Sequence, residues 1–96
     1  MRERSVRLSA DVQAVIRVMH PDSKRRIRAT LDRIRTEPES GRPLMGELAG
    51  WWSVRVGRMR IIYRSRRASV EIAALGPRAS VYLDAARMLP PKSRRR

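Results

Sequence analysis

Polar and apolar residues alternate from Ser5 to Leu8, with Val6 and Leu8 on one side, the period of a short strand. Ser9 follows, an oxygen-bearing residue suited to accept from the free N–H groups of a helix start. Val12, Val15, Ile16 and Met19 then recur at helical spacing until His20-Pro21 interrupts the turn. The spacing predicts a helix over 10–19. Pro21-Asp22-Ser23 opens a second helix whose apolar stripe is Ile27, Leu31 and Ile34, while Lys24, Arg25, Arg26, Arg28, Arg33 and Arg35 cover the remaining surface. So short a link predicts an antiparallel helical hairpin. Residues 37–43 hold two prolines, a glycine and no periodicity, and read as a loop. Beyond it the period falls to two. Trp52, Val54 and Val56 alternate with Ser53 and Arg55, Gly57-Arg58 permits a tight turn, and Met59, Ile61 and Tyr63 alternate with Arg60, Ile62 and Arg64. Val70, Ile72 and Ala74 predict a further strand ended by Gly76-Pro77. A helix over 80–89 would line Val81, Ala85, Met88 and Leu89 along one side, and residues 90–96 read as a disordered basic tail.

The order is β-α-α-β-β-β with a short C-terminal helix. The expected fold is a two-layer α+β domain over 1–89, in which the N-terminal strand joins a mostly antiparallel sheet carrying the α-helical hairpin on one face. The second face is expected to be open to a ligand, since no helix is left to cover it. There are 96 residues, about the commonest size for one domain and too few for a second core.

Charge changes this picture. The chain carries 23 Lys+Arg against 9 Asp+Glu, a formal charge of +14, more than solubility requires of so small a domain. Only Lys24 and Lys92 are lysines, and guanidinium is the group suited to bidentate phosphate recognition and to stacking on bases. A genome rich in arginine codons would account for part of that bias. The rest implies a polyanionic partner, with RNA the expected one. The absence of cysteine excludes disulfides, thiolate metal sites and cysteine nucleophiles. No apolar run approaches the roughly 20 residues that span a bilayer, so no membrane partner and a cytoplasmic location are expected.

The predicted register places Arg55, Arg60 and the following Arg78 close together on the face opposite Trp52, Val54 and Ile61. Like charges side by side cost stability without a counterion, so something anionic is expected there. The alternative is a solvated sheet surface. Alternation puts one tryptophan of the Trp51-Trp52 pair in the core, with Trp52 the expected one, which leaves Trp51 free to stack on a nucleotide. Tyr63 reads as a core residue. His20, the only histidine, stands before a proline and suits a helix cap better than catalysis.

The run from Leu44 to Tyr63, which contains Gly46, Leu48, Gly50, Trp52, Arg55-Val56-Gly57 and Arg60-Ile61-Ile62-Tyr63, resembles the RelE/ParE superfamily of type II toxins, as do Gly76-Pro77-Arg78 and Val81-Tyr82. The resemblance covers nearly the whole chain. It implies a toxin that cuts mRNA in the ribosomal A site without metal or cofactor and is neutralised by a cognate antitoxin protein. Carried over by motif, the catalytic residues are Arg55, Arg60, Arg78 and Tyr82. Candidate RNA contacts are Trp51, Ser53, Arg58 and, on the second helix, Arg25 and Arg28. Ser53 departs from the pattern, because such enzymes often carry lysine or arginine there.

The chemistry asks for a base for the 2′-hydroxyl proton, stabilisation of the charged phosphorane and a counter-charge for the leaving 5′-oxygen. Arginine cannot ordinarily be the base, with a pKa above about 12. Several guanidinium groups can hold the phosphate, and Tyr82 can stack on a base or exchange a proton. Two other readings stay open: a ParE-like poison of DNA gyrase, and a non-catalytic module that binds its antitoxin or RNA.

Overall fold

A computed structural model describes residues 4–88. The elements run β1 (Ser5–Leu8), α1 (Ala10–Arg17), α2 (Pro21–Thr36), β2 (Arg42–Pro43), β3 (Trp52–Val56), β4 (Met59–Ser65), β5 (Ser69–Pro77) and α3 (Arg78–Met88), with short 3-10 turns at Pro38–Ser40 and Gly46–Leu48. The α+β order is the expected one. The five strands form one mixed sheet in the order β1-β5-β4-β3-β2, with β1 parallel to β5 and every other pair antiparallel.

Local chemistry sets the helix ends. The Ser9 Oγ accepts from the Val12 N–H, and the His20 Nδ1 accepts from the Asp22 N–H while Pro21 occupies the first turn, where its missing donor costs nothing. His20 is therefore a cap. α1 stops at Arg17 instead of reaching Met19, whose N–H turns back to the Ile16 carbonyl to set up that second cap. Gly57 adopts φ +62° at the first position of the two-residue β3–β4 turn, where a Cβ would be strained.

α1 and α2 cover one face of the sheet. Val12, Ile27 and Ile34 pack there against Val54, Val56, Ile61, Tyr63, Val70, Ile72 and Leu75, with Trp52 half-buried at the edge. Ile27, Ile34 and Ile61 are fully buried, each contributing roughly 1.5–3 kcal/mol by leaving water. On β5 the alternation breaks. Tyr63 pairs with Ile72 but Ile62 pairs with Ala74, so Ala73 is an extra residue, a β-bulge. The bulge turns Ala74 away from the face that Val70 and Ile72 share, against the expectation from strict alternation.

The second face is not fully open. α3 begins at Arg78, directly on leaving β5, and lays Val81 and Ala85 onto Ile62, Ala73, Ala74 and Trp51, with Leu44, Leu48 and Tyr82 around them. The small side chains of Ala73 and Ala74 let the helix approach, so the C-terminal helix of the expected α+β fold covers part of the face that was expected to be open. Trp51, not Trp52, is the more buried tryptophan because it lies under this helix layer. Residues 37–43 are more ordered than a loop, since Arg42–Pro43 pairs with β3. The basic tail over 90–96 and Leu89 lie outside the described residues. Among the described residues no helix is long and apolar enough to cross a membrane.

Candidate functional site

The register builds the site in two rows across the α3 face. In the first, Arg42 of β2 stands opposite Ser53 of β3, which pairs with Ile62 of β4 and through it with Ala74 of β5. In the second, Arg55 of β3 stands opposite Arg60 of β4, which pairs with Gly76 of β5. α3 covers most of the first row. Tyr82 reaches over it, and its hydroxyl lies 3.3 Å from the Oγ of Ser53, which is 4 % exposed. The second row is accessible at its β3 and β4 positions, with Arg55 exposed and Arg60 half-buried, while Gly76 is buried.

Arg42, Arg55 and Arg60 line one shallow pocket together with Ser40, Gly41, Ser53 and Val54. None of the three arginines has a carboxylate partner among the described residues, whereas Arg25, Arg35, Arg64, Arg66 and Arg87 all do. Arg78 opens α3 right after the strand end that pairs with Met59, so it emerges at the same end of the sheet as Arg60. No acidic residue offsets it in the first turn of that helix. The expected grouping is thus direct for Arg55 and Arg60, whereas Arg78 does not line their pocket.

The other expected contacts fare differently. Ser53 is buried and bonded to Tyr82, so it forms the pocket floor and is not an exposed RNA contact. Trp51 is 8 % exposed and its ring is stacked by the Arg64 guanidinium, 4.3 Å away, which leaves no free face for a base. Arg58 is exposed on the β3–β4 turn and borders a second hollow with Ser23, Arg26 and Met59. Arg25 and Arg28 sit on α2, in the layer behind the sheet, and Arg25 is paired with Asp22. Arg42 is the residue that sequence reasoning missed.

Arg42 is placed by Tyr63. That side chain is fully buried, and its hydroxyl donates to the Pro38 carbonyl at 2.6 Å and accepts from the Gly41 N–H at 3.1 Å. Burial raises the Tyr63 pKa above its ordinary value, the Gly41 N–H opposing this, so the hydroxyl stays protonated. Gly41 has to be glycine, because a Cβ would lie 2.7 Å from both the Ser53 carbonyl oxygen and the Tyr63 hydroxyl. At the far end of the same sheet face, Glu71 accepts from Arg64 at 2.7 and 3.1 Å and pairs with Arg66 at 3.3 Å. The Arg64 hydrogen bonds hold the Glu71 carboxyl below its usual pKa. Arg64 is thereby neutralised locally and differs in kind from the unpaired trio. Among the described residues no three His, Asp or Glu side chains gather as a metal site would require.

A family model described as the ParE toxin of the type II toxin-antitoxin system parDE matches residues 21–82, more than half the chain. The chain belongs to the ParE toxin family. Solved structures agree with this placement in the wider RelE/ParE superfamily. The RelBE2 toxin-antitoxin complex from Mycobacterium tuberculosis is similar at 28 % identity and a TM-score of 0.70, over 82 % of this chain and 95 % of that one. A mutant of the Escherichia coli toxin RelE in the free state shares the fold at 16 % identity and a TM-score of 0.76, over 92 % and 99 % of the two chains. A YoeB/ParE toxin from Agrobacterium tumefaciens does so at 18 % identity and a TM-score of 0.66, over 76 % and 97 %. No curated protein sequence matches. This ParE-family chain is accordingly the toxin of a type II toxin-antitoxin system.

Proposed function

We propose that this toxin is a ribosome-dependent mRNA endoribonuclease that inhibits translation. The observation that carries the reading is the directly opposed pair Arg55 and Arg60 on the α3 face of the sheet, with no carboxylate among the described residues to offset either. Opposed like charges destabilise a sheet unless an anion joins them. A phosphodiester supplies that anion. With Arg55 and Arg60 on its non-bridging oxygens, attack by the neighbouring 2′-hydroxyl builds negative charge where the guanidinium groups already are. Arg78, at the start of α3, adds counter-charge for the leaving 5′-oxygen. Tyr82, whose hydroxyl lies beside the Ser53 that floors this pocket, stands at its edge and assists by stacking on a base or relaying a proton.

A cognate antitoxin is the expected protein partner. The M. tuberculosis structure and an archaeal RelE-RelB structure from Pyrococcus horikoshii, which is 21 % identical, are both toxin-antitoxin complexes. A cytoplasmic site of action follows from the same reading.

One observation favours a second reading, a poison of DNA gyrase: the matching family is that of ParE. The test is induction in cells followed by mapping of mRNA 5′ ends. The ribonuclease reading expects cuts within translated codons, lost in Arg60→Ala and reduced in Tyr82→Phe, with Arg60→Ala melting normally and Tyr82→Phe still folded at the assay temperature. Intact mRNA with double-strand DNA breaks would overturn it.

A further inference from the structure

We infer that Arg42 extends the Arg55–Arg60 site, and that its guanidinium takes the backbone phosphate of single-stranded RNA next to the one being cut. The inference rests on the ribonucleic reading of the arginine face and extends it to a residue outside the motif.

Three observations lead to it. First, Arg42 is directly opposite Ser53, and residues opposite one another in an antiparallel pair share a face; Arg55, two residues along β3, is therefore its diagonal neighbour. Diagonal neighbours lie about 7–8 Å apart, within the reach of two arginine side chains that converge on one anion or on adjacent ones. Second, the three guanidinium groups line one pocket and have no carboxylate partner among the described residues, while Asp22, Asp32, Glu71 and Asp84 are each engaged with another arginine. Third, the backbone that carries Arg42 is fixed. The Tyr63 hydroxyl clamps Pro38 and Gly41, and the pairing of Arg42–Pro43 with β3 holds the next two residues.

The lining also says which polyanion fits. Apart from the arginines it offers Ser40, Gly41, Ser53 and the buried Val54. A peptide bound tightly through acidic side chains needs large apolar anchors as well, and the lining of this pocket holds no aromatic side chain and a single aliphatic one, the buried Val54. A sugar-phosphate backbone needs only the charges and the forked donors.

The experiment measures binding of a short single-stranded RNA, 2′-O-methylated so that it cannot be cut, by fluorescence anisotropy across a salt series. Arg42→Gln should weaken binding about tenfold at low salt, the loss expected for one charge-assisted contact. It should also lower the slope of log K against log salt by about 0.7, one phosphate contact on a single strand. Arg55→Gln should do the same. Arg17→Gln, an equal charge change on α1, should leave the slope unaltered. Arg42→Lys should restore the slope but not the full affinity, because the ammonium lacks the planar fork. All variants are melted to confirm folding.

An unchanged slope in Arg42→Gln beside a reduced one in Arg55→Gln would overturn the role of Arg42 and leave the ribonucleic reading standing. Titration with tripolyphosphate separates the reverse case. Binding that falls in Arg42→Gln, with no RNA affinity in the parent protein, would retain a phosphate pocket and overturn RNA as its occupant. Displacement of the RNA by an acidic peptide at equal charge and concentration would likewise overturn RNA in favour of a protein.

Discussion

Replacing Tyr63 by phenylalanine removes one oxygen from a fully buried side chain and should loosen a whole segment. The hydroxyl donates to the Pro38 carbonyl and accepts from the Gly41 N–H. A neutral hydrogen bond contributes about 0.5–1.5 kcal/mol net, and a donor left unmade costs about 1–3 kcal/mol. Pro38 and Gly41 are only half-buried, so water can reach part of what is vacated. The expected loss is about 2 kcal/mol, or about 8–16 °C in Tm for a domain of this size. Urea unfolding monitored by tryptophan fluorescence measures it. The pH dependence gives an independent check. The Tyr63 pKa is raised in the folded state, so the protonated phenol adds stability that is fully present below the unfolded value of 10.0 and is lost as the pH rises through the folded one. The stability gap between the protein and Tyr63→Phe should therefore narrow only at alkaline pH. RNA affinity should also fall in Tyr63→Phe, by loosening Arg42. A change below about 0.5 kcal/mol, within the range of an inconsequential surface substitution, would refute the clamp.

Three more outcomes follow from the same geometry. Ser53→Ala and Tyr82→Phe should be less than additive in a double-mutant cycle, with a coupling of about 0.5–1.5 kcal/mol in urea unfolding, since either change removes the same hydrogen bond. Glu71→Gln should flatten the acid limb of the stability profile. Because the folded carboxyl titrates below its usual value, its contribution is present above the unfolded pKa and lost as the pH falls through the folded one, which a urea series between neutral and acidic pH reads directly. Gly57→Ala should cost about 1–2 kcal/mol by forcing a Cβ into a left-handed backbone, measured by the shift of the unfolding midpoint.

Much of this was legible in the residues. The two N-terminal helices, the Gly57-Arg58 turn and the direct opposition of Arg55 to Arg60 follow from period and turn chemistry, because each is settled by residues close in sequence, and the alternation along β4 already puts Tyr63 on the core face. What escaped depends on contacts that a period does not encode. The extra residue at Ala73 inverts the side-chain alternation of β5, and nothing in Val70-Glu71-Ile72-Ala73-Ala74 marks it. The placement of α3 over Ala73 and Ala74 decides which tryptophan is buried and closes half of the expected open face; its apolar stripe gave the helix but not the surface it covers. Arg42 sits on a two-residue strand, too short for any alternation, and its membership in the arginine pocket depends on cross-strand pairing with Ser53 and on the Tyr63 clamp.

The central claim is that the arginine face acts on RNA, and a reconstituted comparison tests it most directly. Purified toxin is added in parallel to ribosomes stalled on a defined mRNA with an open A site and to a DNA gyrase supercoiling reaction. The expected result is a single cut in the mRNA at the A-site codon, dependent on Arg55 and Arg60, with unimpaired supercoiling. Intact mRNA with blocked supercoiling and cleaved DNA would contradict it.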